Sequence, residues 1–288
     1  MRYHRIPSDD GPRLLAREER KVYDLTTASG IASVRELALA ATATQGGLDD
    51  VARIHLDDAP LLDANRLPSD APRPTVPDEV WAAGVTYETS NDAREEESGR
   101  GSMYQDVFEN ERPELFFKAT PSRTVGPGDA IGIRADSEWD VPEPELAVVV
   151  ARGDIVGYTV GNDMSSRSLE GENPLYLPQA KVFEKCCAIG PCIASPETVG
   201  DPRELELSMR IRRDDETVFD GSTSTSKMAR SCEELVSYLD AHDTMPDIAV
   251  LLTGTSLVPP DDFTLAEGDS IEIDIENIGT LRNHVETV

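Results

Sequence analysis

Lysine is scarce in this chain. Five occur in 288 residues, Lys21, Lys118, Lys181, Lys185 and Lys227, against 55 acidic side chains and a formal net charge of -28. Nucleic acid is thereby excluded as the default partner, because phosphate contacts need clustered Lys and Arg. Anionic membrane surfaces are disfavoured for the same reason. Acid in such excess fits a protein of a salt-rich cytosol, where a Debye length of about 3 Å at 1 M salt screens self-repulsion. Cysteine is limited to Cys186, Cys187, Cys192 and Cys232, with no C-x-x-C pair. These are expected to be reduced packing thiols, and no zinc site is expected. His4, His55, His242 and His284 are scattered, so no Ser-His-Asp arrangement has evident members. There is no G-x-S-x-G elbow. Gly126-Pro127-Gly128 with Gly132 has the wrong spacing for a dinucleotide loop and reads as a turn. No apolar run nears the roughly 18 residues that span a bilayer, and residues 1–5 lack a secretory apolar stretch. The expectation is a cytoplasmic protein with no membrane and no nucleic-acid partner.

What is present is acid in a pattern. Glu143 and Glu145 lie one residue apart, and Asp163 follows in Gly161-Asn162-Asp163. In an extended strand, residues i and i+2 share a face. The two glutamates would converge there, and an acid from the next strand would complete an oxygen cage. Chance alone supplies about ten acidic i, i+2 pairs in so acidic a chain, most of them solvated. The neighbours set this pair apart. Leu146-Ala147-Val148-Val149-Val150 reads as a buried strand, and Pro142 and Pro144 mark its mouth as a rim rather than ordinary central strand. Carboxylates gathered there repel one another unless a hard cation joins them, and oxygen ligands suit Mg²⁺, with Mn²⁺ or Ca²⁺ able to take its place.

Two domains are expected. Residues 1–75 form a small N-terminal α+β domain with a strand near 21–25 and a helix entered through Ser33, three residues before Glu36. The Pro-rich stretch 67–74 is the linker candidate. Residues 76–288 form a mainly β catalytic domain, with strands near 115–118, 130–133, 146–150, 158–160, 205–211, 248–252 and 271–275. Helical stretches are expected near 91–110 and from Ser231 onward. Strands without a regular helix between each pair point away from a doubly wound sheet.

Other residues carry chemistry. Lys181, rare and set among small and apolar neighbours, is placed to hold a substrate carboxylate or move protons. Glu114 leads into the aromatic run Leu115-Phe116-Phe117 and sits either at the site or at the strand's wet end. Thr253-Gly254-Thr255 after an apolar run offers close backbone approach with flanking hydroxyls, or an ordinary turn.

These motifs together resemble the fumarylacetoacetate hydrolase superfamily. Its E-x-E pair appears as Glu143-Pro144-Glu145, its N-D-x-[ST]-x-R segment as Asn162-Asp163-Met164-Ser165-Ser166-Arg167, its lysine before an aromatic as Lys181-Val182-Phe183, and its late turn as Thr253-Gly254-Thr255. The resemblance covers most of residues 80–288. It implies a mixed β-roll that binds Mg²⁺ through Glu143, Glu145 and Asp163, in a dimer or tetramer. Hydrolases of the family usually carry a histidine in G-x-N-Y-x-x-H, whereas this chain reads Gly84-Val85-Thr86-Tyr87-Glu88-Thr89-Ser90. Serine is a poor base at neutral pH, so water attack on a C–C bond is not expected. Tyr87, Ser90, Arg94 and the run Arg112-Pro113-Glu114-Leu115-Phe116-Phe117-Lys118 are similar to the 2-keto-3-deoxy-pentonate dehydratase branch. That likeness makes Glu114 and Lys181 the acid–base pair and Ser90, Arg94, Arg167 and Thr253 the substrate-binding candidates. The implied reaction converts a small 2-keto sugar acid, xylonate- or arabinonate-derived, to 2,5-dioxopentanoate. The alternatives are an acylpyruvate-type C–C hydrolase using Glu88 or a water chain, and a non-catalytic acidic metal-binding protein.

Overall fold

The computed structural model describes residues 1–63, 67, 71–87 and 101–288, the side chains of 101–104 excepted. Its strands are β1 Arg2–Ile6, β2 Arg13–Glu18, β3 Lys21–Asp24, β4 Leu61–Leu62, β5 Glu79–Gly84, β6 Glu114–Ala119, β7 Thr124–Val125, β8 Ala130–Ile133 and β9 Asp140–Val141. They continue as β10 Pro144–Ala151, β11 Asp154–Asp163, β12 Ser165–Ser166, β13 Cys187–Ala194, β14 Glu206–Arg213, β15 Glu216–Ser224, β16 Ala249–Leu252, β17 Ser270–Ile275 and β18 Gly279–Thr287. The helices are α1 Leu25–Ser29, α2 Val34–Thr44, α3 Leu48–Arg53, α4 Gly101–Glu109, α5 Arg167–Glu172, α6 Leu177–Lys181, α7 Pro196–Val199 and α8 Cys232–Asp240.

One large sheet runs β4-β3-β2-β1-β13-β11-β10-β16-β5-β6, with β7 beside β13. A second runs β15-β14-β17-β18-β8. The pairs β16–β5, β13–β7 and β18–β8 are parallel and the others antiparallel, so the architecture is the mainly β, mixed one that the sequence implies. Every residue of β10 is buried. The cause is a layer on each face: α2 packs against β10 on one side, and β14 of the second sheet on the other. A strand covered on both faces reads as an unbroken apolar run, which is what Leu146 to Val150 showed.

Helix entries follow their side chains. Ser33 Oγ accepts from the Glu36 amide at 3.2 Å, and Ser231 Oγ accepts from the Glu234 amide at 3.1 Å. Each takes up a donor that the first turn leaves without an intrahelical partner. The N-terminal strands continue the large sheet, because β1 pairs with β13 through Arg2↔Ala194 and Tyr3↔Ile193. Tyr3, Leu14 and Leu37 share one buried cluster with Val148 and Ile193. Most of the linker candidate's first half lies outside the described residues.

Candidate active site

The site grows from the end of the β10–β11 ladder. Pro144 stands opposite Asn162 and Glu145 opposite Gly161. One step further brings Glu143 against Asp163, whose amide donates to the Glu143 carbonyl at 2.9 Å. On the other flank of β10, β16 pairs only with Ala147 to Val150. The flank beside Pro144 and Glu145 is therefore open, and the turn after β16 enters it. Thr253 N donates to Leu146 O at 3.1 Å, and Gly254 N donates to Glu145 Oε2 at 2.6 Å. Gly254 holds φ +89°, where a Cβ would meet Thr86 Oγ1 at 2.1 Å. Only glycine brings the amide this close without displacing a neighbour.

Oxygens of Glu143, Glu145 and Asp163 lie within 4.8 Å of one another, and all three residues are buried. Burial, reinforced by Asp163 and Glu143, raises the Glu145 carboxyl well above its ordinary value. Three sealed oxygen donors that penalise one another's charge are the donor set a hard divalent cation takes. The residues present thus fit Mg²⁺, Mn²⁺ or Ca²⁺.

Cations surround the acids. Lys181, the last residue of α6, places Nζ 2.7 Å from Glu143 Oε2, 3.4 Å from Asp163 Oδ2 and 2.5 Å from Ser165 Oγ. Its ammonium also stands 5.8 Å from the centre of the Phe116 ring. Arg167 opens α5, which Ser166 caps, and donates from Nη2 to Glu143 Oε1 at 2.9 Å. These groups line one cavity together with Ala83 to Val85, Gly254, Thr255, Ser256 and Val258.

The four expected residues Glu143, Glu145, Asp163 and Lys181 are therefore brought together, with Arg167 beside them. Glu114 begins β6 on the face it shares with Phe116. It lines a neighbouring cleft whose wall includes Val85, a residue of the main cavity wall as well. Thr253 is buried with its hydroxyl donating to Leu146 O at 2.8 Å, and the next three residues, Gly254 to Ser256, form the cavity wall instead. Ser90 and Arg94 lie outside the described residues. Sequence reasoning overlooked Lys118 and Ser165. Lys118 carried a readable signal: a second rare lysine on the same strand face as Glu114 and Phe116. None of the described residues lining the cavity is a histidine.

Comparison with known proteins agrees with this picture. The fumarylacetoacetate hydrolase C-terminal family matches residues 79–286. A Haloferax volcanii protein named "Probable 2-keto-3-deoxyxylonate dehydratase" is 56% identical over 289 residues, spanning all of both chains. A "2-dehydro-3-deoxy-D-arabinonate dehydratase" of Saccharolobus solfataricus is 46% identical over 215 residues, 73% of this chain and 72% of that one. The solved structure of "2-keto-3-deoxy-D-arabinonate dehydratase complexed with magnesium and 2,5-dioxopentanoate" superimposes with a TM-score of 0.85 at 34% identity, covering 100% of this chain and 99% of that one.

Proposed function

We propose a function from one premise: the chain belongs to the fumarylacetoacetate hydrolase C-terminal family. It is a Mg²⁺-dependent hydro-lyase that converts a 2-keto-3-deoxy-pentonate to 2,5-dioxopentanoate and water. The observation that carries this reading is the buried triad Glu143, Glu145 and Asp163 with the Lys181 ammonium in contact, in a cavity wall without histidine among the described residues. Relatives named for dehydration of such sugar acids support it.

Glu143, Glu145 and Asp163 would hold the ion. When bound, it supplies a Lewis acid for the substrate's carboxylate and 2-keto oxygens, which eases removal of a C3 proton. The rest falls to the protein's own groups. Lys181 in the cavity wall and Glu114 in the adjoining cleft are the proton-handling pair. One takes the C3 proton and the other gives a proton to the departing 4-hydroxyl, which leaves as water. A second shift then takes a proton from C5 and returns one to C3, and the 4,5-enol so formed passes its hydroxyl proton to C4, which leaves the C5 aldehyde. Arg167, with Ser90 and Arg94, holds the substrate's oxygens in this reading, whereas the Thr253 hydroxyl is committed to Leu146 O. The burial of the cluster keeps these charges out of bulk water, and in the less polar interior they act more strongly. The same reading has the protein working in the cytoplasm as a dimer or tetramer, on the strength of the family resemblance; light scattering of the purified protein tests the assembly.

The deciding experiment offers 2-keto-3-deoxy-xylonate and 2-keto-3-deoxy-arabinonate to the purified protein with Mg²⁺ in high salt, and detects 2,5-dioxopentanoate through a coupled aldehyde dehydrogenase. Turnover is expected, abolished by EDTA and restored by added Mg²⁺. Failure to turn over either acid with metal bound overturns the assignment.

A further inference from the structure

The reaction scheme above uses one buried lysine and leaves another without a role. Lys118 is fully buried and sits two residues beyond Phe116 on the same face of β6. A chain with five lysines has sealed two of them into one cluster. An ammonium kept from water persists only when its charge and its donors are matched.

The Lys118 ammonium is matched at three points. Nζ forms an ion pair with Asp163 Oδ1 at 2.5 Å, donates to Met164 O at 2.8 Å, and donates to the carbonyl of Lys181. The Phe183 ring covers it at 5.7 Å. Those acceptors belong to two segments that no ladder joins to each other. Asp163 and Met164 end β11, while Lys181 ends α6, a helix of five residues whose last carbonyls lack intrahelical partners. Lys118 therefore ties one carboxylate of the triad to the main chain from which the Lys181 side chain projects. It engages Oδ1 of Asp163, and Oδ2 is the oxygen that lies 3.4 Å from Lys181 Nζ. Lys118 itself is not part of the cavity wall.

We infer that Lys118 is a positioning residue that sets the Asp163 carboxylate for the metal and the Lys181 backbone for proton transfer in one contact. The kinetic half of this inference rests on the dehydratase reading; the metal half does not. The balance of effects identifies the role. A residue that only stabilises the fold would lower the unfolding midpoint and leave the surviving folded enzyme normal. A residue that orients Asp163 alone would lose metal affinity, and saturating metal would restore turnover.

The test uses the full chain with Lys118→Met, which removes the donors and the charge while keeping the length. Mn²⁺ affinity, measured by calorimetry with no substrate present, is expected to fall about 10- to 100-fold, the usual effect of losing a group that orients a ligand. At saturating Mn²⁺, kcat is expected to fall on the order of 10²-fold with KM little changed, because misplacing a reacting group by about 1 Å costs that much. A folded variant with Mn²⁺ affinity and kcat within about twofold of the parent overturns the inference, since oriented contacts should show at least tenfold. Recovery of kcat at saturating metal overturns the Lys181 half. If Lys118→Met does not fold, Lys118→Arg carries the test, because it keeps the charge and changes the donor geometry. Normal kcat and normal affinity in that variant sink the idea. Absence of turnover in the parent protein would speak against the dehydratase reading and leave the Mn²⁺ arm to decide the metal half.

Discussion

Gly254→Ala is the sharpest test of how the turn after β16 serves the site. A Cβ at this position would lie 2.1 Å from Thr86 Oγ1, 3.1 Å from the Ala83 carbonyl and 3.3 Å from Thr86 Cβ. Thr86 is buried, and its hydroxyl donates to the Thr253 carbonyl at 2.6 Å. It can make room only by rotating away, which strands that carbonyl at a cost of about 1–3 kcal/mol. Holding φ +89° with a side chain costs about 1–2 kcal/mol more. The expected destabilisation is about 2–5 kcal/mol, a large share of the roughly 5–15 kcal/mol that typical domains possess. Equilibrium unfolding in denaturant measures it. The double variant Thr86→Ala/Gly254→Ala removes the 2.1 Å clash and keeps the backbone strain, so its loss should be smaller than the two single losses combined. The metal should feel the change too, because the Gly254 amide holds Glu145 Oε2 at 2.6 Å; Mn²⁺ affinity should fall at least about tenfold. A single variant within about 0.5 kcal/mol of the parent, or strictly additive losses, would refute the geometry argued here.

Lys181→Met should fold and still bind Mn²⁺, while turnover drops about 10²- to 10⁴-fold as a proton-transfer group is lost; turnover within tenfold of the parent contradicts its role. His4 offers a pH test away from the site. Burial, with Arg17 and Arg2 nearby, lowers its pKa from 6.5 to about 4. Between those values the unfolded chain binds a proton that the folded chain refuses, so stability is complete above pH 6.5 and lost as pH falls toward 4, by about 3 kcal/mol. His4→Leu escapes this loss, and its stability relative to the parent should climb by that amount from pH 7 to 4; a constant difference rejects the argument. Finally, a net charge of -28 predicts that the unfolding midpoint rises with KCl as the Debye length shortens from about 10 Å at 0.1 M to about 3 Å at 1 M. A flat salt profile would show that surface repulsion does not limit stability.

The triad was legible because its logic is local. The period of a strand sets Glu143 and Glu145 on one face, and an adjacent strand supplies Asp163 directly opposite Glu143. The capped helices at Ser33 and Ser231 were legible for the same reason. What escaped depends on distant partners. Cys187–Ala194 contains Gly190-Pro191 and reads as a break, yet it lies between β11 and β1 in the large sheet. β15 is mostly exposed and polar, so alternation against a core gave no signal. β1 carries three basic residues in five and becomes a strand through its pairing with β2 and β13. Lys118 was visible as a rare residue, but its meaning came only with Asp163, 45 positions away. Thr253 drew notice for its hydroxyl, whereas the main chain of the next residue makes the contact with Glu145. Side-chain type reveals little about amide contacts made by a turn.

Charge in this protein falls into two populations that answer to different physics. Surface pairs such as Arg210 with Asp220, each about half exposed, are open to salt and contribute little. The cluster around the cavity is sealed: Glu143, Glu145, Asp163, Lys118, Lys181 and Arg167 are all at most 6% exposed. Glu170, buried and 3.8 Å from Arg167, adds a fourth acid. Among the described residues, with every group ionised, these four carboxylates face three cations. Burial first, and then the neighbouring charges of Asp163 and Glu143, raises the Glu145 carboxyl. A divalent cation would add positive charge to this sealed cluster, and the carboxylate of a sugar acid would offset it. Burial makes an unmatched charge costly there and salt a poor remedy for it. The cation and the anionic substrate are then each the other's counter-charge, so the binding of either should strengthen the binding of the other by the same factor.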